Sequence, residues 1–260
     1  MSLHCRVAGG LTLVGPAGRV DDTGIGGPQP RLVAALLVLG RQRSWSAEDL
    51  ADQVWPTGPP CRWRPAVRSL VTVVRHRLQQ AGGGPAASVV VHGGEGYRLR
   101  GVDVVVDVEE ADRWVQEAAR SLDARRYAEA ETAAALAGAV LERTALPGVE
   151  SPWADRLRRR CDAGRVEALV VLGRAQAAQG RAVEARRALE QAVALAPYRE
   201  DAWRALIRVE RQRGNGGRAL QLYGECRQLL VRELGVEPSA ATRVLHATLL
   251  HDSGVRTPDR

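Results

Sequence analysis

Arg62, Arg64, Arg68, Arg75 and Arg77 fall within the run RWRPAVRSLVTVVRHRLQQAG, and no aspartate or glutamate occurs between Asp52 and Glu95. Guanidinium groups gathered without a compensating carboxylate form a surface that attracts a polyanion. A guanidinium also forks onto paired acceptors, whether phosphate oxygens or the O6 and N7 atoms of guanine in a major groove. The chemistry to expect is recognition of duplex DNA. Arginine-rich composition alone does not produce the gap: residues 1–100 carry 12 arginines against 6 acids, whereas residues 101–260 carry 25 against 24.

The remaining inventory excludes most catalytic chemistry. All 37 basic residues are arginine, so the chain lacks the lysine that a Walker A phosphate loop or a Schiff-base enzyme needs. Cys5, Cys61, Cys161 and Cys226 are scattered without zinc-ligand spacing, and are expected as reduced thiols. No H-E-x-x-H, G-x-S-x-G or glycine-rich dinucleotide loop occurs. The adjacent acids Glu109-Glu110 and Asp21-Asp22 fall at a helix start and in a loop, where solvation accounts for them. The sequence therefore predicts no catalytic residue, no metal and no cofactor. The N-terminus lacks a signal-peptide pattern and no apolar run reaches membrane-span length, so a cytoplasmic, nucleoid-associated protein with no membrane partner is expected.

Which elements would position the arginines? Residues 3–7 and 11–14 alternate around Gly9-Gly10 as a hairpin, followed by a Gly/Pro-rich passage from Gly15 to Pro30 with room for a third short strand. Leu32 to Leu39 reads as a buried helix. In SAEDLADQVW, Ser46 caps a second helix with Glu48 and Asp49 in its first turn. A third helix begins at Arg62 or Pro65 and ends at Ala81, before Gly82-Gly83-Gly84. Its apolar stripe is Val67, Leu70, Val71, Val74 and Leu78, which leaves Arg68, Ser69, Thr72, Arg75, His76 and Gln79 outward. SVVVHGGEGYRLR then supplies two strands around a His92-Gly93-Gly94 turn. Strands, three helices and a closing hairpin spell a winged helix-turn-helix, whose third helix enters the major groove while the hairpin lies along the backbone.

From Val108 onward the pattern is helical and repeats at a spacing of 34, pairing Gly180 with Gly214, Ala185 with Ala219, Leu189 with Tyr223 and Leu172 with Leu206. That period, with a small residue where paired helices touch, marks a tetratricopeptide array. A degenerate earlier unit covers Tyr127 to Leu141. Helix pairs of this kind stack into a right-handed superhelix. Trp153, Tyr198, Trp203 and Tyr223 are expected to pack between helices.

The fold class is thus an α+β winged helix-turn-helix followed by an all-α tetratricopeptide-like superhelical domain. The stretches PRLVAALLVL, SAEDLADQVW, AVRSLVTVVRHRL, GEGYRLRGVDVVVD, APYREDAWRALIRV, GNGGRALQLYGECRQLLVRELGVEPS and RVLHATLL carry a resemblance. The chain resembles the SARP-type actinobacterial antibiotic-regulatory activators, which join an OmpR-type winged helix to a bacterial transcriptional activator domain. ELGVEPS is the most specific of these matches. The resemblance implies domains at 1–101 and 107–252, with a flexible tail at 253–260.

It also implies a transcription activator of a secondary-metabolite gene cluster. Such a protein binds direct repeats upstream of promoters as a homodimer on DNA and recruits RNA polymerase holoenzyme through its sigma factor and core subunits. Arg68, Thr72 and Arg75 would face base edges, with His76 beside them. Arg62, Arg64, Arg77 and the hairpin residues His92, Gly93 and Arg98 would face phosphates. The third helix departs from the family's V-S-R-L-R-R-A-L run, with Val73 and His76 at positions that are usually basic. Those departures favour the alternative, a tetratricopeptide-like protein-interaction scaffold whose winged helix binds DNA weakly or not at all.

Overall fold

A computed structural model describes residues 2–82, 90–93, 96–99 and 103–252. The chain forms two compact units: one takes Met1–Asp112 and Ala139–Cys161, the other Arg113–Gly138 and Asp162–Arg260. The expected tail, 253–260, lies outside the described residues.

The first unit opens with β1 (Ser2–Arg6), β2 (Thr12–Gly15) and β3 (Gly18–Val20). A one-turn helix α1 (Asp22–Ile25) and helices α2 (Pro28–Leu39), α3 (Ala47–Val54) and α4 (Trp63–Gly82) follow. Strands β4 (Val90–Gly93), β5 (Gly96–Leu99) and β6 (Asp103–Val106) come next. The four-stranded sheet runs β3-β2-β1-β6, and β4-β5 form a separate pair. The expected hairpin is present, with His4 opposite Val14 and Cys5 opposite Leu13. Alternation sends Leu3, Cys5, Leu13, Val104 and Val106 inward. The Gly/Pro-rich passage holds more structure than a loop: it carries β3, α1 and the first turn of α2. Pro28 and Pro30 start that helix because the first-turn N–H groups need no intrahelical acceptor.

Strand β6 was not legible in the sequence as a sheet member. It pairs in parallel with β1, Ser2 opposite Asp103 and Cys5 opposite Val106, across the whole helical segment between them. Asp107 follows at once, and its carboxylate accepts from the backbone N–H groups of Val7 at 2.8 Å and Ala8 at 3.1 Å. Burial pushes the Asp107 carboxyl up, against the lowering effect of those hydrogen bonds. Val7 is also met from the other side of the unit. Leu146 N–H donates to the Val7 carbonyl at 3.0 Å, and Gly9 N–H donates to the Thr144 carbonyl at 2.9 Å.

Helix α5 (Asp107–Asp123), α6 (Tyr127–Leu141) and α7 (Pro152–Ala178) continue the chain, each passing from one unit into the other. In the second unit α8 (Ala182–Leu195), α9 (Glu200–Gln212), α10 (Gly216–Leu234) and α11 (Ala240–Asp252) complete it. The period of 34 is physical. Gly180 and Gly214 both take the left-handed backbone, at φ +79° and +80°. Ala185 and Ala219 are both fully buried, and Leu189 and Tyr223 share one core with Leu206. Gly235, at φ +68°, ends α10, so the ELG of the ELGVEPS stretch is a left-handed helix stop. Trp203 and Tyr223 are buried as expected, but Tyr198 is 49% exposed. It sits in the turn between α8 and α9, after Pro197, where no helical stripe carries it inward.

Candidate nucleic-acid interface

Helix α4 holds the arginine cluster, and α2 and α3 pack against it. Val67, Val71, Val74 and Leu78 are buried along one face, while Leu70 is only half-buried on its flank. The C-terminal end of the helix is docked by the β2–β3 turn: Ala17 N–H donates to the Ala81 carbonyl at 3.0 Å. A Cβ on Gly15 would lie 2.6 Å from that same carbonyl, so the turn passes too close for any side chain.

Outside the core stripe, Arg64, Arg68, Thr72 and His76 are exposed and Arg75 is half-buried. At about 100° per residue, Arg64, Arg68, Thr72 and Arg75 share an arc roughly 80° wide, with His76 at its border. The Thr72 hydroxyl donates to the Arg68 carbonyl at 2.8 Å, one turn back in the same helix. His76 Nε2 lies 3.0 Å from the Gln80 side-chain nitrogen. Arg62 is exposed in the turn before the helix.

Arg77 falls about 180° around the helix from Arg68. It is half-buried, one guanidinium nitrogen donates to Gln80 at 2.9 Å, and its Nε is buried without a partner. The structure therefore separates Arg77 from Arg64, Arg68 and Arg75 on the same helix, a placement already implied by helical rotation. Arg98 is half-buried on β5, opposite Val91. His92 and Gly93 pair through their backbones with Tyr97 and Gly96 on the same hairpin.

Sequence distance also hid one carboxylate. Glu48, in the first turn of α3, accepts from Arg64 at 2.8 Å, with both side chains more than half exposed. A backbone N–H at the start of α3 and the Arg64 guanidinium hold the Glu48 carboxyl below its ordinary value. The gap in acids along the chain is thus partly filled in space, at the N-terminal end of the arc. The capping box explains why Glu48 stands there: the Ser46 hydroxyl accepts from Asp49 N–H and the Asp49 carboxylate accepts from Ser46 N–H.

Among the described residues no group of three or more His, Cys, Asp or Glu side chains could hold a metal ion, and no helix is long and apolar enough to cross a membrane. All four cysteines are free, and only Cys61 is exposed.

Fold and surface together define a two-part chain, a small-sheet region presenting a basic helix, followed by a helical superhelical domain. Residues 106–250 match the bacterial transcriptional activator domain, and the chain belongs to that family, the family of the SARP-type transcriptional regulators. Among its relatives, the transcriptional regulatory protein MoaR1 of Mycobacterium tuberculosis is 28% identical over 235 residues, covering 87% of this chain and 73% of MoaR1. The regulatory protein DnrI of Streptomyces peucetius is 27% identical, covering 87% of this chain and 86% of DnrI. The regulatory protein AfsR of Streptomyces coelicolor is 28% identical over 86% of this chain, which spans only 22% of AfsR. The structure of Mycobacterium tuberculosis EmbR in complex with a low affinity phosphopeptide superposes with a TM-score of 0.84 at 24% identity, over 99% of this chain and 66% of that one. The expected resemblance to the antibiotic-regulatory activators is borne out.

Proposed function

We propose that the chain is a sequence-specific transcription activator whose first unit reads duplex DNA as a winged helix-turn-helix. The observation that carries this reading is the division of α4. One face is sealed by Val67, Val71, Val74 and Leu78, and the arc beside it offers Arg64, Arg68, Thr72 and Arg75 with no acid anywhere on the helix. Such a helix suits a major groove, with the β4–β5 hairpin and Arg98 alongside the backbone. Family membership supplies the activator half: a helical repeat domain that would engage RNA polymerase while copies of the chain sit side by side on a direct repeat. Two modest half-sites held by adjacent copies multiply through effective concentration. A secondary-metabolite cluster is the target class that fits the regulators it resembles.

Footprinting the full chain on the promoters beside its own gene tests this. Protection of two or more repeated half-sites, weakening steeply with salt, is the expected result. Salt-independent or absent binding to every duplex would instead leave the protein-interaction scaffold as the reading.

A further inference from the structure

A cavity of about 610 Å³ opens inside the first unit, where the end of α2 and the segment leading into α3 face the first two turns of α7. Its volume is in the range that holds a small organic molecule. Two indoles line it. Trp45, 5% exposed, sits there because Gly40 has no side chain: a Cβ on Gly40 would lie 2.6 Å from the Trp45 indole nitrogen. Trp153, half-buried on α7, offers an accessible ring.

The charges around the two rings do not cancel. Both oxygens of Glu109 are taken by a bidentate pair with Arg41, at 2.7 Å each. The Asp49 carboxylate is engaged in the α3 cap, and Arg160 is paired with Asp112. That leaves Arg43, whose guanidinium stacks 3.5 Å over the Trp45 ring, and Arg156. Among the described residues no ion pair ties either of them. Two guanidinium groups that no carboxylate holds, Arg156 and the Arg43 stacked on Trp45, stand beside the half-buried Trp153 indole, and such a wall matches a flat ring that carries a negative charge. The ring stacks on indole, and guanidinium binds carboxylate in a fork.

We propose that this cavity is a binding site for a small planar aromatic carboxylate. The site adjoins the anchor of the β4–β5 hairpin, because Trp45 is the residue that pairs through its backbone with Tyr97. The inference does not rest on α4 reading DNA, and its test contains no duplex.

The test is a titration of the ¹⁵N-labelled full chain with 2-naphthoate, 2-naphthamide and inorganic phosphate, read at the indole N–H signals. Those signals are assigned with Trp45→Phe and Trp153→Phe. The expected result is saturable movement of the Trp45 and Trp153 signals by 2-naphthoate, at least tenfold tighter than by 2-naphthamide. Arg43→Gln/Arg156→Gln should abolish that preference, with Arg156→Gln alone, an exposed change, serving if the double variant does not fold. Equal affinity for acid and amide, movement at other indoles only, an unaffected arginine variant, or phosphate binding as tight as naphthoate would each overturn the proposal.

Discussion

Trp45 and Tyr97 exchange both of their backbone hydrogen bonds, Trp45 N–H to the Tyr97 carbonyl at 2.8 Å and Tyr97 N–H to the Trp45 carbonyl at 2.7 Å. This one bridge fastens the β4–β5 hairpin to the start of α3. Gly96 makes it possible: at φ +120°, a Cβ there would lie 2.2 Å from the Trp45 carbonyl oxygen. Gly96→Ala should therefore cost about 2 kcal/mol or more, since both the backbone strain and the collision must be relieved by breaking the bridge. Urea denaturation of the variant measures it, and a midpoint equal to wild type would contradict this account.

The separation of Arg68 from Arg77 around α4 makes their roles distinguishable. Arg68→Ala should reduce the salt slope of duplex binding by up to about one unit or relax base preference at a cost of about 1–3 kcal/mol. Arg77→Ala should leave both nearly unchanged. Fluorescence anisotropy across a salt series, on operator and random duplexes, reads the two variants side by side.

Glu48 competes with phosphate for Arg64. Glu48→Gln should free that guanidinium and tighten binding to all duplexes alike, modestly and most visibly at low salt, because an exposed pair of this kind is weak and screened by salt. A gain restricted to one sequence would mean that Glu48 shapes base reading instead.

In the second unit, Gly173 on α7 meets α8 directly: a Cβ would come within 2.5 Å of Leu189 and 3.0 Å of the Ala185 carbonyl. Gly173→Ala should destabilise by about 1–3 kcal/mol through overpacking, despite the better helix propensity of alanine. Thermal unfolding settles the sign.

Acid should loosen the end of the repeat array. Burial opposes ionisation of Glu200, but hydrogen bonds from the Thr242 hydroxyl and from Ser239 outweigh it and hold the carboxyl below its ordinary value. Hydrogen bonds from Asn215 and Arg213 likewise outweigh burial at Glu210. A carboxyl lowered on folding stabilises fully above its unfolded value, about 4.3 for glutamate, and loses that contribution as the pH falls through the folded one. Urea unfolding at pH 6 and pH 3.5 should show a smaller acid loss in Glu200→Gln than in wild type.

The sequence revealed what repeats or alternates. The stripe of α4, the Ser46 cap and the period of 34 all rest on local spacing, and local spacing survives folding. What it concealed was long-range. The parallel pairing of β6 joins residues about a hundred positions apart, and Asp107 in the run DVVVD gives no sign that Val7 and Ala8 donate to it. Glu48 belongs to the same class: nothing along the chain announces that it reaches Arg64. The cavity beside Trp45 needed Gly40, Arg43 and Arg156 brought together from two distant segments. Arg77 differs, since rotation about the helix axis already set it apart from the outward arc.

Because β6 closes one border of the sheet and residues 144–146 grip Val7 and Gly9, the head cannot be detached cleanly where the hairpin ends. Cutting at residue 101 would bare the flank of β1, a row of unmet amides and carbonyls ready to enlist a strand from another molecule. Chimaeras that trade heads among relatives must carry β6 and their own copy of 139–161, or they will clump before they reach a promoter.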